Sequence, residues 1–421
     1  MDDERIPVRR APVENRPTHV GDRLREAAFR PPEQVAEEDA QKPTDELTND
    51  DTSEPTPPPK KKRRSLKAWL KSRTKKQWIL IIVIIIVVLG GASAGAYALF
   101  HKSAKTPTAA VKTKSVPMIK TPTTVPSTLT GLPVPPSANQ GPVTAVMIEN
   151  TDDARPQSGL SQAGVVFEAL TEGGITRFMA LYQGENPSSI GPIRSARPYY
   201  LQWALGFDAA VAHDGGSSDA LQDFTSWNVK DLNEMYNGSY YQRIDSREAP
   251  HNLYSSMSQL NALEQTKGWT TSKYTGFVRK TASPSKTPNA TSITLNPSYA
   301  DFSVQYKYDA TNNAYLRSED GSPMMDAGTN TQVEPKVVIA MVVPWSQGAL
   351  DTSGAYYSVY ADIGSGQVYI FQDGTVTTGT WTKSSMTGQI TFTNASGQTI
   401  GLDPGQTWIT ALGDSSMLSY Q

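Results

Sequence analysis

The segment between residues 140 and 250 uses arginine almost exclusively as its basic residue. Beside the single lysine Lys230 there are six arginines, namely Arg155, Arg177, Arg194, Arg197, Arg243 and Arg247. A guanidinium group presents a rigid fork of donors that matches a carboxylate or a phosphate, whereas a lysine ammonium is a flexible point charge. This choice of residue predicts that the segment orders anions, which are either its own carboxylates or those of a ligand.

Two interpretations of these arginines stay open. In the first, ion pairs with nearby carboxylates fix the loops; the competing acids are Glu149, Glu168 and Glu172. In the second, several arginines converge on one cleft and bind an anion. Arg194 and Arg197 favour it, because residues three apart at a helix start share a face and lie beside unpaired backbone N–H groups. The predicted ligand-binding residues are Arg155, Arg177, Arg194, Arg197, Arg247, Ser195 and Asn252.

Two histidines, His213 and His251, lie in glycine- or proline-marked loops that follow apolar runs. Together with Asp214 they are the candidate catalytic residues, because a loop histidine can serve as a general base. The alternative is a structural, hydrogen-bonded histidine. Their spacing matches no metal signature and the chain has no cysteine, so we predict no metal and no cofactor. Nor does the sequence contain a Walker loop, GxSxG, HExxH or GxGxxG in a strand–helix setting.

These residues must be positioned by a first domain at 142–281, in which apolar runs of strand length alternate with capped helical stretches. Such alternation predicts an α+β or α/β fold. Glu172-Gly173-Gly174 reads as the turn of a hairpin. The predicted strands are 143–150, 164–170, 178–183 and 209–217, and the predicted helices are 197–206, 217–227 and 254–268.

The second half, 299–421, has the texture of strands separated by turns such as Asp320-Gly321 and Asp373-Gly374. We therefore predict a mainly β second domain with its own core, separated from the first by a Pro/Ser/Thr stretch at 282–298. Most of its aromatic residues should be core or cross-strand pairs, and the alternative is stacking on a sugar or a peptide. These residues are Tyr356, Tyr357, Tyr360, Tyr369, Phe371, Trp381 and Trp408.

Residues 78–100 form one uncharged apolar stretch, about long enough to cross the bilayer as a helix. Ten basic residues in 60–76 precede it, which is the positive-inside signal and predicts contact with anionic lipid. A cleaved signal peptide would lie nearer the N-terminus and have a shorter apolar core. We expect residues 1–77 to be a disordered cytosolic tail and 101–141 an extended Pro/Thr/Ser linker.

The part beyond the predicted span is mildly acidic, since residues 102–421 hold 21 Lys/Arg against 26 Asp/Glu. Such a surface does not favour nucleic acid. We predict the membrane as one partner and a cell-wall component or envelope protein as another.

Five motifs follow one another in order along the chain. They are MIENTDDARPQSGLSQAGVVFEALTEGGITRFMALYQ (147–183), IGPIRSARPYYLQWA (190–204), HDGGSSDAL (213–221), REAPHNLY (247–254) and TTGTWTKSSMTGQITFTNASGQTIGLDPGQTWI (377–409). Together they resemble the YerB family of bacterial envelope proteins, whose function is unknown, over about 142–421. The resemblance implies two adjacent domains outside the cytoplasm and no established activity.

The chain departs from that family in two ways. Many family members resemble lipoproteins with a lipidated N-terminal cysteine, whereas this chain has no cysteine and carries the apolar segment 78–100 instead. Met386 also stands where the resemblance implies a basic residue, which argues against a ligand role for Lys383.

We infer a membrane-anchored protein of cell-wall biology that binds an anionic ligand through its arginine-rich loops, without established catalysis. The alternative is a transferase or hydrolase acting on a phosphorylated or polyprenyl-linked wall precursor. IGPIRSAR (190–197) and HDGGSSDA (213–220) occupy places similar to those in the LytR-CpsA-Psr phosphotransferases, where arginines hold a polyprenyl pyrophosphate. Catalysis would further require a base near the anion, so the histidines and arginines should then lie within about 10 Å of each other.

The orientation in the membrane is testable. Because the basic residues lie before the predicted span, we expect the N-terminus in the cytosol and residues beyond about position 105 outside. Protease added to intact spheroplasts should digest the large C-terminal part and spare the tail, as judged by immunoblotting of both ends. Protection of the C-terminal part would contradict this orientation.

Overall fold

A computed structural model of the protein describes residues 124–351 and 354–421. The predicted cytosolic tail, the basic run, the span at 78–100 and most of the linker lie outside the described residues. Among the residues that are described, no helix has the length and apolar character needed to span a membrane.

The described chain consists mostly of strands, with four α-helices that all lie in its first half. The helices are α1 (Pro198–Leu205), α2 (Ser218–Ser226), α3 (Glu234–Asn237) and α4 (Met257–Thr266). The strands of the first half are β1 (Val125–Pro126), β2 (Pro133–Val134), β3 (Thr144–Glu149), β4 (Val165–Leu170), β5 (Thr176–Tyr182), β6 (Ala210–His213), β7 (Lys230–Asn233), β8 (Gln242–Arg243) and β9 (Leu253–Tyr254).

The second half continues with strands only, apart from short 3-10 turns. They are β10 (Ser292–Leu295), β11 (Val304–Asp309), β12 (Ala314–Glu319), β13 (Ser322–Pro323), β14 (Met325–Asp326), β15 (Thr331–Gln332), β16 (Val337–Val342), β17 (Trp345–Leu350), β18 (Tyr356–Tyr360), β19 (Gly364–Gln372), β20 (Thr375–Lys383), β21 (Thr391–Thr393), β22 (Thr407–Leu412) and β23 (Leu418–Tyr420). The expected mainly β second half is confirmed.

One ten-stranded sheet runs through both halves, in the order β21-β20-β19-β16-β22-β4-β5-β3-β6-β7. Five of its strands come from each half, and the junction is the parallel pairing of β22 with β4, in which Thr407 faces Val165. Our expectation of two separate cores is therefore wrong. The described residues fall in one compact unit. The limits given for the two domains, 142–281 and 299–421, stay predictions.

The sheet is covered on both faces, which explains why its central strands are apolar along their whole length. Every residue of β3, β4, β5 and β22 is buried, as expected for strands with layers on either side. Helices α1 and α2 cover one face, where Trp203 stacks on Phe167 at 5.1 Å and Phe224 joins the same cluster. Helix α4 and a second sheet, β13-β12-β11-β10-β23, cover the other face.

The local signals in the sequence correspond to the elements observed. The side chain of Ser217 accepts a hydrogen bond from Ala220 N at the start of α2, and Ser256 accepts one from Gln259 N at the start of α4. The turn between β4 and β5 has positive φ angles at Gly173 and Gly174, and a Cβ at Gly174 would lie 2.6 Å from the ring of Tyr299. Glycine is therefore required at this turn.

A buried ionic cluster joins the two sheets. Arg317 on β12 is fully buried, and its Nη2 donates to both oxygens of Glu168 on β4, at 3.0 and 3.1 Å. Its Nη1 donates to Glu319 at 2.9 Å, and the guanidinium carbon lies 4.6 Å from the ring centroid of Trp408. Glu168 also accepts from Trp408 Nε1 at 2.9 Å. The cluster thus links β4, β12 and β22.

The Glu168→Gln variant should be strongly destabilised. A neutral amide would leave the guanidinium of Arg317 facing fewer charges in a site without solvent, and breaking a buried ion pair costs about 3–5 kcal/mol. Urea denaturation should register this loss in the free energy of unfolding. The matched control is Glu334→Gln, because Glu334 is exposed. The free energy of unfolding of this variant should stay within about 0.5 kcal/mol of the wild-type value. Equal stability of the two variants would contradict a central role for the cluster.

Candidate functional site

The candidate residues gather where three parallel strands end. Strands β3, β6 and β7 are parallel neighbours, and their last residues are Glu149, His213 and Asn233. Loops at the carboxyl ends of parallel strands commonly form binding sites in α/β proteins. This edge of the ten-stranded sheet is therefore a favourable place for a binding site.

The segment 190–197 lies across this edge and is tied to it by backbone hydrogen bonds. Arg194 N donates to Met147 O at 3.0 Å, and Arg194 O accepts from Asp214 N at 3.1 Å. Ala196 N then donates to Gly215 O at 3.0 Å. Arg197 is the residue before α1, whose first residue, Pro198, suits a helix start. The segment thus places Arg194 and Arg197 next to the ends of β3 and β6.

Arg177 and Arg197 are both buried and share one carboxylate, Glu172. Arg177 Nη2 donates to Glu172 at 2.9 Å, while its Nη1 donates to Ser195 O at 2.9 Å. Arg197 Nε donates to the other oxygen of Glu172 at 3.1 Å, and the ring of Tyr357 packs on its guanidinium at 5.2 Å. The terminal nitrogens of these arginines are therefore used within the protein.

The two guanidinium groups control the ionisation of Glu172. Burial raises the pKa of Glu172, but the charges of Arg177 and Arg197 outweigh burial and hold the pKa well below its ordinary value. The carboxylate consequently stays charged at every physiological pH. It joins the β4–β5 turn to the start of α1, which matches the first of our two interpretations, a loop-fixing ion pair.

A second acid, Glu149, lies between Arg194 and His251. Its Oε1 is 3.3 Å from Arg194 Nε and 3.0 Å from His251 Nδ1, and it accepts from the hydroxyl of Thr151 at 3.0 Å. Burial raises the pKa of Glu149, but the hydrogen bond with His251 and the charge of Arg194 bring it below its ordinary value. Its Oε2 is buried without a partner in the described structure.

Arg194 differs from the other arginines because the nitrogen that faces its carboxylate partner, Glu149, is Nε and not a terminal nitrogen. Nε lies 3.3 Å from Glu149 Oε1 without forming a hydrogen bond, and within the described residues the terminal nitrogens form none either. The side chain is 24% exposed, whereas that of Glu149 is 1% exposed. Arg194 therefore carries the fork of donors that remains available at this edge, and His251, which is also partly exposed, lies beside it.

Arg155 and Arg247 are occupied elsewhere. Arg155 donates to Asn150 O at 3.1 Å and to Asp301 O at 3.0 Å, and it pairs with Asp152 at 3.0 Å. Arg247 donates to the backbone carbonyls of Asp153 and Pro156. These contacts fix the 150–157 loop. The predicted convergence of Arg194 and Arg197 with the other arginines on one open, ligand-filled cleft stays a prediction.

The remaining candidates have internal partners. The hydroxyl of Ser195 donates to Asp214 O at 2.9 Å, and Asn252 Oδ1 accepts from Arg243 at 3.1 Å. Arg243 also pairs with the carboxylate of Asp214 at 3.3 Å. His213 is fully buried; its ring stacks on Phe224 at 4.3 Å, and its nitrogens contact Gly215 O and Asp231. Its surroundings fit the structural alternative better than a general base.

The sequence did not assign two residues, Thr151 and Tyr357, to this site. Thr151 supplies a hydroxyl to Glu149, and a threonine two residues after a strand-end glutamate was the signal that could have indicated it. Tyr357 packs on Arg197 from the second half of the chain, and no local pattern reports such a contact.

Lys383 has a structural position. Its side chain is fully buried, and Nζ donates to the carbonyls of Met386 and Gly388, both at 2.7 Å. Burial lowers the pKa of Lys383 to about 8. Among the aromatic residues singled out from the sequence, Tyr360, Phe371, Trp381 and Trp408 are buried, whereas Tyr356 is half exposed.

Two family descriptions match the chain. The N-terminal domain of a protein of unknown function (DUF3048) matches residues 129–270, and the C-terminal domain of the same family matches residues 293–409. The chain therefore belongs to this family.

A curated relative is similar over most of its length. "Putative lipoprotein YerB" from Bacillus subtilis (strain 168) is 32% identical over 290 residues, which is 68% of this chain and 86% of the relative. The crystal structure of the YerB protein from Bacillus subtilis is similar with a TM-score of 0.64 and 29% identity, and the match covers 70% of this chain and 99% of that one. The resemblance to the YerB family is thereby confirmed.

The Glu172 ion pairs should contribute to stability in a pH-dependent way. Because the pKa of Glu172 is lowered by folding, its contribution is complete above its unfolded pKa of about 4.3 and is lost as the pH falls toward the folded value. Glu172→Gln should cost about 3–5 kcal/mol at pH 7, and the difference from wild type should shrink below about pH 4.3. Denaturant unfolding at pH 7 and pH 3.5 measures it.

Glu248→Gln is the control for this comparison, because Glu248 is an exposed acid in a nearby loop. It should leave the free energy of unfolding nearly unchanged at both pH values. A difference between wild type and Glu172→Gln that does not depend on pH would contradict the proposed ionic contribution.

Proposed function

We propose that this chain is an envelope protein, anchored to the membrane and exposed outside the cytoplasm, that binds an anionic wall component at Arg194 and His251. Envelope placement is supported by the name of the relative, a lipoprotein, and by the apolar segment 78–100 with its basic flank. In this chain the span would take the place of a lipid anchor, since the sequence has no cysteine to carry one.

The observation that carries the proposal is the orientation of Arg194. The neighbouring arginines direct their terminal nitrogens at carboxylates or carbonyls, whereas Arg194 contacts Glu149 through Nε. Two parallel terminal donors on a partly exposed guanidinium suit a phosphate or a carboxylate. The charge of Glu149 lies on the Nε side of the group, which favours an orientation that leaves the two terminal nitrogens without an internal acceptor.

The groups next to Arg194 narrow the range of ligands that would fit this site. His251, 3.0 Å from the same carboxylate oxygen, offers a second polar group within reach of an anion bound to Arg194. Glu149 Oε2 is a buried acceptor without a partner in the described chain, and a ligand hydroxyl would satisfy it with a small movement. An anion that carries a hydroxyl nearby, such as a phosphorylated or acidic sugar, fits this combination of groups.

A second candidate function is catalysis, and the Glu149–His251 pair favours it. A buried carboxylate that contacts Nδ1 orients an imidazole so that Nε2 can take or give a proton, as in acid–histidine pairs of hydrolases. Here Nε2 lies 3.9 Å from Asp153 in a partly exposed position. A base beside an anion-binding arginine is what a transferase or hydrolase of a phosphorylated or polyprenyl-linked wall precursor needs.

Calorimetric titration of the full-length protein with inorganic phosphate, pyrophosphate and a muropeptide tests binding. We expect saturable binding of at least one of these probes. Arg194→Lys should fold normally yet weaken it by about tenfold or more, because a point charge cannot replace the fork. Arg243→Lys is the matched control: its guanidinium is engaged by Asp214 and Asn252, and affinity should change little.

Absence of binding heat with all three probes would leave only the structural interpretation of the arginines. Equal losses in the two lysine variants would show that overall charge, and not Arg194, determines affinity. His251→Ala separates binding from catalysis: if the protein releases phosphate from pyrophosphate, this variant should lose turnover, while its affinity should fall less than that of Arg194→Lys.

A further inference from the structure

A pocket lies between the 150–157 loop and the β12–β13 hairpin. It is not part of the anion site proposed at Arg194. Its volume is about 360 Å³, within the usual range for small-ligand sites. Apolar side chains form a large part of its wall. The lining residues that matter here are Pro156, Pro323, Met324, Met325, Gln157 and Asp320.

The cationic residue in this wall, Arg155, has no nitrogen left for a ligand. Nε donates to Asn150 Oδ1 at 3.3 Å, Nη1 pairs with Asp152 at 3.0 Å, and Nη2 donates to the carbonyls of Asn150 and Asp301. Nη2 also lies 3.4 Å from Glu319. An anion entering the pocket would therefore meet carboxylates and no unused donor from Arg155.

The groups that remain unused are acceptors. Gln157 is 1% exposed, and its Nε2 donates to Glu149 O at 3.0 Å and to Asn150 Oδ1 at 2.9 Å, which fixes the orientation of the amide. Its Oε1 is buried and has no partner in the described part of the chain. An unpaired buried acceptor is costly, and a donor from a ligand would relieve that cost.

Asp320 supplies the charge at the mouth of the pocket. It is exposed, and in the residues described its carboxylate forms no ion pair or side-chain hydrogen bond. Asp320 and Gly321 form the two-residue turn between β12 and β13, with φ angles of 49° and 70°. This geometry is the one favoured by Asp-Gly and Asn-Gly, so the backbone that carries the carboxylate has a defined conformation.

We propose that this pocket binds a primary ammonium group carried on an apolar stem, as in a lysine-type side chain of a peptide. The ammonium would lie against Asp320 and would donate to Gln157 Oε1 after a small movement that opens this buried atom to the pocket. The methylene stem would lie against Met324, Met325 and the prolines. The chemistry is opposite to that of the Arg194 site, which offers donors. The two sites can therefore be tested separately, and failure of one leaves the other intact.

The test uses full-length protein with isotope-labelled methionine methyl groups, observed by NMR. The probes are Nα-acetyl-lysine methylamide, 1,5-diaminopentane and Nα-acetyl-norleucine methylamide, which has a comparable stem but no ammonium. We expect saturable shifts of the Met324 and Met325 signals with the first two probes and none with the third. Preference for the lysine derivative would assign a peptide source, and preference for the diamine a free polyamine.

Asp320→Asn should weaken binding of the preferred amine by about tenfold, because a charged hydrogen bond becomes a neutral one. The turn should still fold, since Asn-Gly suits its backbone. The control variant is Asp219→Asn, because Asp219 is an exposed acid on α2. This variant should bind the amine with wild-type affinity. Equal binding of the norleucine derivative, unchanged affinity in Asp320→Asn, or the absence of methyl shifts would each overturn the proposal.

Discussion

The guanidinium group of Arg317 is buried between the two sheets and faces two carboxylates, Glu168 and Glu319. Charges in such a place are tolerated only when they are paired and hydrogen-bonded. The pairing requires β4, β12 and β22 to be in place at once, because Trp408 and Glu168 come from different halves. The arrangement of strands that stacks the two sheets is therefore also the one that pairs these buried charges.

The same principle is repeated at the carboxyl edge of the ten-stranded sheet, closer to solvent. Glu172 pairs with both Arg177 on β5 and Arg197, the residue before α1. Glu149 does the same for Arg194, but incompletely, since the terminal nitrogens of that arginine stay without partners in the described residues. The terminal nitrogens of Arg177 and Arg197 are thus used within the protein, whereas those of Arg194 are not used by the described residues.

Local features were predictable from the sequence because their causes are local. The apolar runs became β3, β4 and β5, the serines at 217 and 256 cap helices, and the glycines after Glu172 make the expected turn. The shared sheet was not predictable in this way. The apolar sequence at 407–412 predicts a strand but does not indicate its partners. One partner, residues 165–168, lies about 240 positions away, and no local pattern encodes so distant a pairing.

The candidate site shows the same limit. Pairing between arginines and glutamates was one of the interpretations that the composition supported, and it describes Arg177 and Arg197. Which arginine keeps free donors depends on whether Nε or the terminal nitrogens face the acid. That geometry is set by the path of 190–197 along β3 and β6, and a single sequence contains no record of it.

Strand β22 lies near the C-terminal end of the chain yet occupies the middle of the ten-stranded sheet, between β16 and β4. A chain that emerges from a ribosome or a translocation channel delivers this strand after both of its neighbours in the sheet. Until it arrives, β4 and β16 each have an open edge, and unpaired edges of this kind are prone to wrong association. The central part of the sheet therefore cannot close before β22 has been synthesised, although most of its other strands come earlier in the chain.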